Sequence, residues 1–169
     1  MTNTSTPEPG YNFIDTLFRH NLWANTHLFE LCTGLTDEQL DTTAVGTYGT
    51  IRDTLGHIAG AEYSYWHRLK TGQPTQRPEG APPPTLLDLQ ASVRESGEGL
   101  IALAPTIQAH DSVEVNWDGT PRSIPSAIIV TQVINHATEH REQIAAMLTA
   151  LSMQPPDLGG WSYFDTIAP

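Results

Sequence analysis

The stretch Ser126–Leu151 reads SAIIVTQVINHATEHREQIAAMLTAL and contains neither Gly nor Pro. Ile129, Val133, His136, His140, Ile144, Met147 and Leu151 recur at steps of three and four, the period at which side chains share one face of an α-helix. The stretch therefore predicts one long amphipathic helix with two histidines inside its apolar stripe. Four residues apart on a helix, their Cβ atoms stand about 5–6 Å from each other. Both imidazoles can then reach one metal ion at about 2.0–2.1 Å.

A lone His on a core stripe is usually a buried imidazole bonded to a neighbour. Two at chelating spacing shift the balance toward a shared cation, because burying two imidazoles in apolar surroundings is costly unless each ring nitrogen finds a partner. From this helix alone both readings stay open, and the metal reading requires a third ligand elsewhere.

Pro125 is expected to open this helix, with Ser123 or Ile124 near its N-cap. Before it, Val113, Val115 and Trp117 alternate with polar residues, and Asp118-Gly119 is a two-residue hairpin turn ahead of Thr120 to Ile124. After it, Gln154 to Pro169 is rich in Pro and Gly but carries Trp161, Tyr163 and Phe164, aromatics expected to pack on the body.

Toward the N-terminus, residues 1 to 10 are polar and read as a frayed tail. From Tyr11 the pattern is helical, with a stripe of Leu17, Ala24, Leu28 and Leu31 widened by Phe13, Phe18 and Trp23, and Gly34 as the stop. His20 and His27 lie on or beside that stripe and read as ordinary hydrogen-bonded boundary histidines. Thr36 to Gln39 is a capping box opening a short helical turn. A second box, Thr50 to Asp53, starts a helix running to about Lys70, with Ile51, Leu55, Ile58, Ala59, Trp66 and Leu69 on its apolar face. His57 lies at the flank of that face. Gly56, Gly60 and Ala61 around it leave room for another helix or a ligand.

Residues 73 to 84 hold five prolines and form a connection. Thr85 to Asp88 then opens a helix with Leu86, Leu89, Val93, Leu100 and Leu103 on one face, weakened by Gly97 and Gly99. Four long amphipathic helices and one hairpin predict an all-α four-helix bundle with a small β-hairpin before the last helix, as a single domain from 11 to 169.

The length of 169 residues fits one domain with a substantial core. The single cysteine, Cys32, cannot form an intramolecular bridge, and the chain is compatible with a reducing cytoplasm. Neither signal-peptide features nor eighteen consecutive apolar residues are present, so the expectation is a soluble cytoplasmic protein without a membrane span. A net charge of −11 with only eight Lys plus Arg repels a phosphate backbone and disfavours nucleic-acid binding.

Leu55-Gly56-His57-Ile58-Ala59 with Trp66 beyond it, then His136 to Ile144 (HATEHREQI), with Asn21 to Asn25 (NLWAN) on the first helix, resembles the DinB family of metal-binding four-helix bundles. The resemblance runs from about Tyr11 to Phe164, and its specificity rests on the order and spacing of the histidines. It implies a three-histidine site for a divalent metal, commonly zinc or nickel, and often a homodimer. The implied ligands are His57, His136 and His140. One departure is Glu142, where the family frequently has Gly between the Arg and the Gln; it removes no ligand. Similar proteins include transferases, isomerases and hydrolases that use a low-molecular-weight thiol such as mycothiol or bacillithiol, and many others have no established activity.

The residue chemistry agrees with an open metal site. Three neutral imidazoles leave a coordination position free, whereas structural zinc sites are usually closed by four ligands with cysteines among them, and Cys32 is the only thiol. The expectation is a metal-dependent enzyme in which an external thiol or water attacks a small electrophilic substrate. The alternatives are a metal-binding or regulatory bundle without catalysis, or a bundle with ordinary core histidines. His136 to His140 also spells His-x-x-Glu-His, the inverzincin peptidase sequence, whose Glu is the general base. Those enzymes need a downstream carboxylate ligand and a larger scaffold, and only Asp157 and Asp165 follow here. Glu139 thus remains a weak catalytic candidate, able to orient a ligand or reach bound water, with a solvated surface Glu as the plainer reading.

Overall fold

The computed structural model describes residues 12–75, 80–108, 110–117 and 119–168. The expected tail at residues 1 to 10, part of the proline-rich connection and Asp118 of the hairpin turn lie outside the described residues.

The first four helices start where a side chain satisfies orphan backbone N–H groups. Helix α1 (Phe13–Thr33) is capped by Asn12, whose side chain accepts from Ile14 and Asp15. Capping boxes built on Thr36, Thr50 and Thr85 open α2 (Asp37–Leu40), α3 (Ile51–Thr71) and α4 (Leu86–Leu103). Gly72 closes α3 at φ 72°, a left-handed conformation that glycine adopts without strain. A 3₁₀ turn (Ala104–Thr106) leads to strands β1 (Ser112–Trp117) and β2 (Thr120–Pro125), which pair antiparallel with Ser112 opposite Pro125 and Trp117 opposite Thr120. Helix α5 (Ser126–Ala150) follows directly, and α6 (Gly160–Ile167) ends the chain.

The long helices form the four-helix bundle expected from the sequence. Helices α1 and α3 each pack against both α4 and α5, and the hairpin leans on α3 and α5. The core has three levels. One end is apolar, built around Leu28, Phe29, Leu55, Ile58, Val93 and Ile144. The other end is apolar around Phe18, Trp66, Leu100 and Val133. Between them α1 contributes Asn21 and Asn25, α3 Glu62, α4 Ser96 and α5 Arg141, all buried and polar.

This middle level corrects the first helix's stripe. Phe13 and Leu17 are exposed, and the buried face runs through Phe18, Asn21, Ala24, Asn25, Leu28, Phe29 and Cys32. The two asparagines belong inside because the partners described below satisfy their amides. Three further points differ from expectation. Pro125 is the N-cap of α5 and not its first residue, since it still pairs with Ser112 and keeps an extended ψ of 131°. The C-terminal segment forms a helix in which Trp161 and Phe164 are exposed and Tyr163 packs on Trp23 and His20 of α1. Gly97 and Gly99 are packing positions: a Cβ at Gly97 would lie 2.7 Å from Leu22 and one at Gly99 2.2 Å from Trp66. No helix among the described residues is long and apolar enough to cross a membrane.

Candidate metal centre

Helix α3 carries His57 and α5 carries His136 and His140, one turn apart. The packing of α3 on α5 brings the three rings together: their potential ligand atoms all lie within 4.8 Å of one another. Ring centroids are 4.7 Å apart for His57–His136, 4.6 Å for His57–His140 and 4.4 Å for His136–His140. The Nε2 atoms of His136 and His57 approach to 2.9 Å. Two imidazole nitrogens that close need a proton or a cation between them. Ligands of one tetrahedral ion at about 2.0–2.1 Å would stand about 3.3 Å apart, so small side-chain adjustments separate the observed arrangement from a coordinated one.

Burial favours the form a metal requires. His57 is half-buried, and burial followed by the charge of His140 lowers its pKa. Burial, then His140 and His57, lowers His136 to about 4. Both are therefore neutral at pH 7, with lone pairs available. Three imidazole nitrogens without thiolate or carboxylate form a donor set suited to zinc, nickel, copper or iron.

Aromatic rings wall the cluster. Tyr48, from the loop before α3, stacks on His57 at 3.9 Å with an interplanar angle of 12° and meets His140 edge-on at 5.6 Å. Tyr65 meets His136 edge-on at 5.7 Å and accepts from Gln132 Nε2 at 3.3 Å. On the Tyr48 side opens a cleft of about 890 Å³ lined by Tyr48, Arg52, Gly56, His57, Gly60 and Pro84, among others. Nothing lies within 4 Å of where a Cβ would stand at Gly56 or Gly60, so these small residues border open cleft and no described helix of the chain packs on them. Beyond Tyr65 and Gln132 lies a second cavity of about 460 Å³, with Val115, Ile124, Ile128 and Ile129 in its walls.

Other candidates lie apart from this cluster. Glu139 is exposed and outside the group of convergent ligand atoms. His20 Nε2 bonds the Leu158 carbonyl at 2.9 Å, and the exposed His27 bonds the Trp23 carbonyl through Nδ1 at 2.9 Å. Cys32 is fully buried, and burial pushes its thiol up to about 12, which removes it as a nucleophile.

Sequence reasoning passed over Glu62, Ser96, Gln143 and Tyr48. Glu62 Oε2 accepts from Asn21 Nδ2 at 2.6 Å and Asn25 Nδ2 at 2.8 Å, and Ser96 donates to its Oε1 at 2.8 Å. Arg141 Nη1 donates to Asn21 and Asn25 Oδ1 at 2.8 and 2.7 Å, tying this network to the residue after His140. Glu62 did leave a signal: it interrupts the apolar face of α3 one turn after Ile58 and one turn before Trp66. Tyr48 left none, because its role depends on how a loop returns to the bundle.

The model of the DinB family matches residues 1–166. Among solved structures, the crystal structure of a DinB-like protein from Bacillus subtilis superposes with a TM-score of 0.62 at 12% identity, covering 87% of this chain and 98% of that one. At that identity the likeness is one of fold. The comparison with curated proteins gives no match.

Proposed function

Since the chain belongs to the DinB family, we propose that it is a metal-dependent enzyme in which His57, His136 and His140 hold one divalent cation, zinc or nickel. Its reaction is that of a thiol S-transferase or hydrolase, with a low-molecular-weight thiol or water attacking a small electrophilic substrate. The observation that carries this reading is the convergence of three imidazole nitrogens within 4.8 Å of one another, with His57 lining an open cleft. A divalent cation held there supplies Lewis acidity, favouring the deprotonated form of a thiol or water beside it.

The chain's own residues account for the rest. His57 and His136 are kept neutral by burial and offer lone pairs at pH 7. Gly56 and Gly60 keep the cleft wide enough for a small molecule to reach His57. Because Cys32 is buried and protonated, a thiol nucleophile must come from outside the chain. Arg52 at the cleft is engaged by Asp37 at 2.8 Å and Asp41 at 3.1 Å, and Asp53 caps its own helix through Thr50. Those pairings favour the alternative, a metal-binding bundle without catalysis, because they leave these charged groups already occupied. The reading also includes a homodimer, supported by exposed Phe13, Leu17, Trp161, Phe164 and Ile167 on α1 and α6, which pack against each other.

The test is elemental analysis of untagged protein beside His57→Ala and His136→Ala, followed by thiol and electrophile screening of the loaded protein. About one divalent ion per chain, lost in both variants, is the expected result. No metal in the parent protein would sink the proposal, and metal without turnover would leave the non-catalytic alternative.

A further inference from the structure

The hydrogen bonds of Gln143 determine which nitrogen of His140 carries a proton. The backbone N–H of Tyr48 points at Gln143 Oε1 at 3.0 Å, across 95 residues of sequence. A backbone N–H only donates, so the amide atom facing it must be oxygen. That same oxygen lies 2.9 Å from His140 Nδ1. An oxygen with no proton of its own accepts from both neighbours, and His140 Nδ1 must therefore be the N–H. In the neutral ring Nε2 is left with the lone pair.

We propose that Gln143 and the Tyr48 backbone are positioning residues that hold His140 in its Nδ1–H tautomer, presenting Nε2 to the cluster before any ligand arrives. The inference rests on the reading that the three histidines share one cation, and assigns this site a supporting partner. Ligating histidines generally donate their second N–H to an acceptor that fixes tautomer and orientation. Here the acceptor lies one turn further along the same helix and is itself held by a loop. Tyr48 acts twice, since its ring also stacks on His57 at 3.9 Å. One loop residue thereby steadies a histidine on each of the two helices. Glu139, the carboxylate nearest His140 in sequence, takes no part: it is exposed, while the Nδ1 of His140 is already bonded to Gln143.

The experiment uses metal-free full-length protein, with imidazole tautomers read from long-range ¹⁵N–¹H correlation spectra at neutral pH, and then zinc affinity by competition with a chelating dye. Parent protein is expected to show His140 protonated on Nδ1. In Gln143→Leu that preference is lost and zinc affinity falls about 10- to 100-fold. Gln143→Glu retains an oxygen acceptor at the same reach and restores both the tautomer and most of the affinity, which a role in folding alone would not produce. A His140 lacking the Nδ1 proton in the parent, or an unchanged tautomer in Gln143→Leu, overturns the proposal. If the tautomer depends on Gln143 but the parent takes up no zinc, the positioning assignment stands and the metal reading fails.

Discussion

Glu62 of α3 and Arg141 of α5 are linked through the same two carboxamides: Asn21 and Asn25 donate to the carboxylate through Nδ2 and accept from the guanidinium through Oδ1. Each asparagine thus spends its donor on the anion and its acceptor on the cation. The link crosses from α3 through α1 to α5, at the level that divides the two apolar ends of the core. His140 neighbours Arg141 in sequence, so this network anchors the turn of α5 that carries the histidine cluster.

Glu62 makes stability depend on pH in the direction opposite to most carboxylates. Burial raises its pKa from 4.5 to about 7, against the hydrogen bonds from Ser96 and Asn21 and the charge of Arg141. A folded-state pKa above the unfolded one means that the native state binds the extra proton. The stabilisation is full below about pH 4.5 and is lost as pH rises through about 7. At about 1.36 kcal/mol per unit, the loss is on the order of 3 kcal/mol. Glu62→Gln keeps the shape and removes the titration. Urea unfolding of metal-free protein at pH 5 and pH 8 should show the parent losing stability relative to the variant as pH rises; equal slopes would contradict the assignment.

Arg141→Met is expected to be among the most destabilising substitutions in the bundle. Burial lowers the Arg141 pKa to about 10, which leaves it charged at neutral pH. Removing it leaves two buried amide oxygens without their donor, at about 1–3 kcal/mol each, and takes the positive charge away from the Glu62 carboxyl. Arg141→Met combined with Glu62→Gln should cost clearly less than the sum of the two single changes. Additive losses in a double-mutant cycle would show that the two groups are not coupled.

The bundle and its hairpin were legible because helical period, capping boxes and turn residues act locally, while the meeting of His57 with His136 and His140, 79 residues apart for His57 and His136, rested on the family resemblance. Spacing alone marks Ile129, Val133, His140, Ile144 and Met147 as buried on α5, while Val130, Ala137, Arg141 and Leu148 widen that face beyond the stripe. What escaped was polar matter inside the core. By sequence Leu17 reads as core and Asn21 does not, since an asparagine is welcome inside only when specific partners from other helices meet it. Those partners, Glu62 and Arg141, lie 41 and 120 residues away in sequence. Tyr48 and Gln143 are similar: neither carries a periodic signal, and their meeting is decided by the path of a loop.

Gly99 is held by the indole beside it. A Cβ there would stand 2.2 Å from Trp66 Nε1 and 2.3 Å from Cε2, both atoms of a rigid ring in the core. Helix propensity alone would favour Ala by about 1 kcal/mol. Overpacking costs about 1–3 kcal/mol and should win, so Gly99→Ala is expected to lower thermal stability and alter the Trp fluorescence. A stabilised variant would mean that the indole moves aside freely.

Gly60 gives the opposite sign. It is exposed on α3, nothing stands within 4 Å of its would-be Cβ, and it lines the cleft beside His57. Gly60→Leu should gain about 1 kcal/mol from helix propensity and leave the three imidazoles untouched. In zinc-loaded protein it should also weaken binding of a small thiol probe such as cysteamine. Unchanged thiol binding would place access to the cluster elsewhere, on the side of Tyr65.

Metal removal supplies the last prediction. A cation that binds the folded chain alone stabilises it by mass action, about 2.7 kcal/mol at a free concentration 100 times its dissociation constant. Three histidines from two helices, with ring nitrogens within 4.8 Å of one another, would give an ion a site that exists only when α3 and α5 are packed together. Adding zinc should raise the melting temperature and chelation should reverse the rise. In His57→Ala the increment should collapse, because only a two-histidine site on a single helix remains, which even isolated α5 could offer. An identical zinc increment in parent and His57→Ala would show that the ion binds elsewhere, and α3 would lose its place in the centre.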